Sequence, residues 1–232
     1  MQQRLAFGVE YLGTHFSGWQ QQPGLRAVQS TLATAIASVA DHPVDLVCGG
    51  RTDAGVHASG QVVHADARAA RSLRAWLLGV NSRLPQDLAV QWVVPVPAHF
   101  HARFSALARR YRYGILNRSA RSALLAGRTA WVHAPLDAAR MQQAANALAG
   151  EHDFSAYRAA ECQSRSPVRR IERIEVLREG DVVTIEVSAN AFLHHMVRNI
   201  AGQLIEIGRG ALPPESSREV LEGRDRRRAA AT

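Results

Sequence analysis

"IERIEVLREGDVVTIEVSAN", Ile171 to Asn190, is the stretch that decides the fold. Two runs of alternating apolar residues, Ile174/Val176 and Val183/Ile185/Val187, flank "REGD". A period of two marks strands buried on one face, and "REGD" between the runs supplies a hairpin turn. An antiparallel sheet therefore anchors this part of the chain. Just beyond it, "FLHHMVRNIAGQLIEIG" puts Phe192, Met196, Ile200 and Leu204 on one helical stripe that stops at Gly208. Upstream, "ALARRYRYGILN" reads as a strand, and Leu136 to Leu148 as a helix with Asp137 near its start and Gly150 just after its end. The last stretch, "LPPESSREVLEGRDRRRAAAT", offers a short helix and then a basic, alanine-rich tail expected to be disordered or cut short.

The first half has the same ingredients. "RLAFGVEY" alternates Leu5, Phe7, Val9 and Tyr11 on one face of a strand, and Val28, Leu32, Ile36 and Val39 share a stripe on a helix from Arg26 to Ala40. "VDLVC" and "GQVVHAD" are two short strands, "SLRAWLLGVNSRLP" is a second helix ended by Pro85, and "LAVQWVVPV" is a closing strand. The order strand, helix, strand, strand, helix, strand resembles a split β-α-β unit. The expected class is α+β: two similar α/β halves with mainly antiparallel sheets and helices packed on one face. The expected division is residues 1–105 and 106–232, the second half being incomplete at its end.

Composition narrows the partners. The formal charge of +8 comes entirely from arginine, since the 232 residues include no lysine. A net excess of guanidinium groups points to a polyanion such as nucleic acid. No apolar run approaches the roughly 20 residues of a membrane span, and "MQQRLAFGVEY" has no secretory-signal pattern, so a cytoplasmic location is expected. Cys48 and Cys162, far apart and without Cys-x-x-Cys partners, read as reduced, buried thiols, with no zinc site.

Between the two short strands lies "CGGRTDAGVHASG", Cys48 to Gly60. Its glycines allow positive φ and a close backbone approach to a ligand, while phosphate-loop and dinucleotide patterns are missing. Asp53 reads either as an Asx-turn cap of its own loop or as a nucleophile or general base. Arg51 would keep that carboxylate ionised, or hold a phosphate or a base edge. His57 and His64, and likewise His194 and His195, read as hydrogen-bonding loop or core histidines rather than metal ligands, because no acidic cluster joins them. "FHARFSALARRYRYGI" interleaves Phe100, Phe104, Tyr111 and Tyr113 with Arg103, Arg109, Arg110 and Arg112. That pattern suits bases stacked on rings with phosphates on guanidinium groups, and equally a strand with tyrosines inward and arginines outside. "ECQSRSPVRR", Glu161 to Arg170, is a polar loop able to touch an RNA backbone.

At "GRTDAGVHASGQVVH" the sequence resembles the tRNA pseudouridine synthase A family, and "YLGTHFSGWQ", "VQSTL", "GVNSRLP", "FHARFSALARRYRY", "CQSRSP" and "NAFLHHMVRNIAGQL" follow in family order from about Leu5 to Gly210. The resemblance implies the pseudouridine synthase fold and a cofactor-free, metal-free isomerase working as a homodimer. Its substrates would be the uridines at positions 38, 39 and 40 of the tRNA anticodon stem-loop, flipped out of the stack before reaction. It makes Asp53 the catalytic nucleophile, Arg51 the arginine linked to base flipping and paired with Asp53, and Tyr111 the residue contacting the uracil. It places Phe100, His101, Ala102, Arg103 and Phe104, and Glu161, Cys162, Gln163, Ser164 and Arg165, in segments that touch tRNA. Family members usually continue into a strand of the type Gly-Leu-Tyr-Leu, which this sequence lacks. The second reading is accordingly a catalytically impaired tRNA-binding protein.

Overall fold

The computed structural model describes residues 2–230. The chain divides after Leu107 into two compact units. The first unit runs β1 (Gln3–Tyr11), α1 (Val28–Ala40), β2 (Val47–Cys48), β3 (Ala58–Ala67), α2 (Leu73–Asn81) and β4 (Leu88–Pro95). Its sheet has the order β2-β3-β1-β4 with every pair antiparallel. Strand alternation explains the core: Leu5, Phe7 and Val9 of β1 and Val63, Ala65 and Ala67 of β3 pack with Val28, Leu32 and Ile36 of α1 and with Trp76 and Val80 of α2. Helix α2 starts where the Ser72 side chain accepts from the Ala75 N–H, a conventional N-cap.

The second unit runs β5 (Arg109–Asn117), β6 (Ala130–Val132), α3 (Ala138–Asn146), β7 (Gly150–Asp153), β8 (Val168–Glu179), β9 (Val182–Ala189), α4 (Met196–Gly208) and α5 (Ser216–Gly223). The sheet order is β6-β5-β9-β8-β7, antiparallel throughout except for β5 with β6. The hairpin read from the sequence is β8–β9, turning through Gly180 at φ 57°. Its inward residues Ile174, Val176, Val183, Ile185 and Val187 meet Met141 and Leu148 near α3 and Ile200 and Leu204 of α4. Asp137 caps α3 by accepting from the Ala139 and Arg140 N–H groups. Two antiparallel-dominated sheets with helices make the fold α+β, as expected.

Three expectations need correction. The helix expected from Phe192 starts only at Met196, because His195 takes a left-handed conformation at φ 58° and ends the turn that precedes it. The strand expected over "VDLVC" contracts to Val47–Cys48. The tail expected to be disordered is ordered as far as the structure describes it. Arg226 donates to Asn199 Oδ1 at 3.1 Å and to the Ala229 and Ala230 carbonyls, and the Ala230 N–H donates to Gln203 Oε1 at 2.9 Å. Asn199 and Gln203 are buried amides one turn apart on α4, and burial without partners would cost each of them. The folded-back tail supplies partners for their oxygens, while their nitrogens donate to the Tyr157 carbonyl and to Ser216 Oγ.

Candidate active site

The glycine loop joins β2 to β3 and is held from several directions. Gly49 N–H donates to the Val62 carbonyl at 2.8 Å, and Gly50 exchanges hydrogen bonds with the Gln61 side chain at 3.3 and 2.5 Å. Further along, the Thr52 carbonyl accepts from Trp19 N–H at 2.9 Å, and the Thr52 and Tyr11 hydroxyls meet at 2.8 Å. Gly55, at φ 77°, donates to the Phe16 carbonyl at 3.3 Å, and Val56 N–H closes a turn onto the Asp53 carbonyl at 3.1 Å. His57 Nδ1 accepts from Gly13 N–H at 2.9 Å. The loop is thus fixed on both sides of Asp53, which is half-buried.

The scaffold behind the loop is "YLGTHFSGWQ". Tyr11, Phe16 and Trp19 are buried there and meet ring to ring, with centroids 6.3 to 6.5 Å apart. Gly18 sits at φ 92°, where an added Cβ would lie 2.9 Å from the Thr52 carbonyl oxygen, and a Cβ on Gly13 would strike the Val56 carbonyl. Both glycines are required because the two backbones run nearly in contact. Reading residues one by one missed this role. The signal available was a pair of glycines among aromatic residues, which marks close backbone packing without saying against what.

Arg51 stands exposed on the same loop, two residues before Asp53. Its charge reaches inward to Cys48, where it opposes the burial that pushes the thiol up to about 11. Both cysteines are free thiols; Cys48 is buried, whereas Cys162 is only half-buried, a departure from the expected burial of both.

Phe100 to Phe104 lie in the first unit beside the loop's root: a Cβ on Gly49 would meet the Ala102 carbonyl oxygen at 3.5 Å. Ala102 faces inward and is buried, while Phe104 is 78% exposed, stacked on His101 with centroids 4.3 Å apart and planes at 25°. The Arg103 guanidinium lies 5.7 Å from the Phe104 ring centre. An exposed ring backed by a second ring and a cation is suited to receiving a base.

In the second unit, Tyr111 sits on β5 opposite Val187, half-buried, with the Phe192 ring edge-on at 4.9 Å. Tyr113 points the same way, and burial pushes its phenol up against the opposing effect of Arg198. Arg110 and Arg112 stand on the other face and flank Glu186, at 3.6 and 2.9 Å. The tyrosines-inward pattern is therefore present, although neither ring is fully buried. Glu161, Gln163 and Arg165 are exposed, and Cys162 and Ser164 half-buried. Arg169 braces this loop, donating to Ser164 Oγ at 2.7 Å and to the Ser166 carbonyl at 3.0 Å.

The profile of the tRNA pseudouridine synthase family matches residues 8–105 and 144–232. The chain belongs to the tRNA pseudouridine synthase family. It is 52% identical over 230 residues to tRNA pseudouridine synthase A of Alcanivorax borkumensis, covering 99% of this chain and 86% of that one. The corresponding enzyme of Pseudomonas aeruginosa is also 52% identical over 230 residues, with 99% and 81% covered, and that of Methylococcus capsulatus 53% over 229 residues, with 99% and 84% covered. Membership makes the chain an isomerase. The family match takes in the glycine loop with its scaffold, the Phe100–Phe104 segment and the Glu161–Arg165 loop, and leaves Tyr111 outside its two blocks. No helix among the described residues is long and apolar enough to cross a membrane.

Proposed function

We propose that this chain converts uridine to pseudouridine at positions 38, 39 and 40 of the tRNA anticodon stem-loop, with Asp53 as nucleophile. The observation that carries the reading is the loop itself, which holds one carboxylate between backbone and side-chain anchors to β1, β3 and the Gly13–Trp19 segment. Fixed placement is what a nucleophile needs, because misplacing a reacting group by about 1 Å costs up to about 10²-fold in rate. In the net reaction the N1–C1′ bond breaks, the uracil turns, and a C5–C1′ bond forms. C5 loses its proton and N1 gains one, so atoms balance without cofactor, metal or oxidant. Asp53 must act as a carboxylate in this scheme, and it is regenerated at the end.

A base within the stem is reachable only after flipping, at a cost of a few kcal/mol. Arg51, exposed on the same loop, takes the role of occupying the vacated place or holding the displaced strand. Tyr111 contacts the uracil and takes part in moving the C5 proton. Phe100 to Phe104 and Glu161 to Arg165 touch the RNA backbone and bases, and the arginine excess draws the polyanion in. Two copies act together as a homodimer, which light scattering tests through a mass twice that of the chain.

The assignment of positions is tested with unmodified tRNA transcripts in which the uridines at 38, 39 and 40 are replaced by cytidine singly and together. Modification should be lost in the triple replacement and confined to the two remaining uridines in each single one. Modification that persists elsewhere in the triple replacement would refute the anticodon assignment.

A further inference from the structure

The two faces of the first sheet are used differently. Leu5, Phe7 and Val9 of β1 and Val63, Ala65 and Ala67 of β3 face the helices, so Arg4, Ala6 and Gly8 and their partners Asp66, His64 and Val62 face the other way. On that helix-free face His64 is nonetheless only 5% exposed. The cover is the segment after β4, which turns back across the sheet. Ala102 N–H donates to His64 Nδ1 at 3.1 Å, and the rings of Phe100 and His101 approach edge-on, with centroids at 6.0 and 5.1 Å. Beside it, Arg4 pairs with both Asp66 oxygens at 2.8 Å and donates to the Ala98 and Phe100 carbonyls at 2.6 and 2.9 Å. Three backbone groups at alternate residues, 98, 100 and 102, are thus gripped from β1 and β3.

We infer that His64 is a positioning residue for the tRNA-facing segment, fixing the His101–Phe104 stack at the root of the Asp53 loop only while its imidazole is neutral. The inference rests on the proposed contact between this segment and tRNA. Its chemistry follows from the acceptor role. Nδ1 receives the Ala102 N–H, so any ring proton sits on Nε2; protonation turns both nitrogens into donors and sets N–H against N–H. The groups facing the ring are Arg4 on β1, Asp66 on β3 and His101 on the covering segment, while the Cys48 thiol on neighbouring β2 stays protonated near neutrality. Burial lowers the His64 pKa from its ordinary 6.5, Arg4 and His101 add to that, and Asp66 opposes. The folded chain therefore takes this proton less readily than the unfolded one. The stabilisation by neutral His64 is complete above 6.5 and is lost as the pH falls from there through the lower folded value.

The test is tritium release from tRNA labelled at C5 of uridine, measured for wild type, His64→Asn and His64→Ala between about pH 5.5 and 8, a range that spans histidine titration. Asparagine keeps an acceptor at the δ position and does not titrate. At neutral pH, His64→Ala should raise KM about tenfold with kcat changed less than about twofold, the pattern of lost binding rather than lost chemistry. His64→Asn should stay within about threefold of wild type and lack the additional rise in KM that wild type shows on acidification. Superimposable wild-type and His64→Asn profiles, or an unchanged KM in a folded His64→Ala, would overturn the inference. Should His64→Ala fail to fold, the comparison of wild type with His64→Asn decides alone. Wild type that releases no tritium overturns the proposed reaction instead, and tRNA affinity by filter binding across the same pH range then decides the role of His64.

Discussion

The two sheets share a plan and differ at one edge. In the first, β3 lies between β2 and β1, and β4 completes the far side of β1 over eight residues. In the second, β9 lies between β8 and β5, and the far side of β5 carries the three-residue β6, parallel and confined to Ile115–Asn117. After α2 the chain returns to its sheet as β4; after α4 it continues into α5 and a short turn at Arg226–Arg228 that binds back onto α4. One unit pairs a full strand along the far side of its central strand, whereas in the other the described chain after α5 bonds to the side-chain amides of α4.

The proposed RNA-facing segments show the same contrast. Arg4, which grips residues 98 and 100, is matched by Asp66, and each holds the other in its charged form. Arg169, which braces residues 164 to 168, bonds only to hydroxyl and carbonyl oxygens, leaves Nε without a partner, and has its pKa lowered by burial. The first clasp is charge-compensated and contains a titrating histidine; the second is a cation without a carboxylate partner among the described residues, beside a loop proposed to touch RNA.

The sharpest way to break the comparison is to ask whether the second unit takes part in chemistry or only binds. Tyr111→Phe keeps the ring against Phe192 and removes the hydroxyl; kcat for pseudouridine formation should fall about 10²- to 10³-fold, within the range for losing an acid-base group. A change in KM alone would reduce Tyr111 to a binding contact. Arg51→Ala in the first unit should lower kcat by about 10²-fold with tRNA affinity kept within about threefold, because flipping is a transition rather than a docking contact. An equal loss of affinity would make Arg51 a phosphate contact. The smallest effect concerns stability. Asn199→Ala removes the buried amide that donates to the Tyr157 carbonyl at 2.8 Å and accepts from Arg226, at a cost of about 1–3 kcal/mol in a denaturant titration. A loss below about 0.5 kcal/mol would show that the tail's attachment adds nothing to closure.

Much of the fold was legible because each main element carries its own period. The hairpin at Ile171–Asn190, the stripe of α1 and the alternation of β1 all matched a buried face. Elements too short to have a period were not legible: β6 and β7 have three and four residues and exist through pairing with β5 and β8. The start of α4 was misplaced because Phe192 lies on the helical stripe by spacing, while the left-handed His195 that ends the preceding turn leaves no mark in the pattern. At the site, Asp53 stood out through its glycines, but its loop is anchored to Trp19, Phe16 and Gly13 by residues far along the chain, the hydrogen bond from Gly13 to His57 spanning 44 positions. No local pattern encodes that contact. His64 reads from the sequence as a hydrogen-bonding loop or core histidine, and it is one, but its cover and partner come from the chain's return over the sheet, which no local pattern gives.

The central claim is that the glycine loop delivers Asp53 as the nucleophile. Its most direct test is tritium release from C5-labelled tRNA by wild type and Asp53→Asn, with tRNA affinity measured for both at one salt concentration. Wild type should release tritium, and Asp53→Asn should be slower by at least about 10³-fold while binding within about threefold of wild type. Release by Asp53→Asn at a rate near that of wild type would contradict the claim.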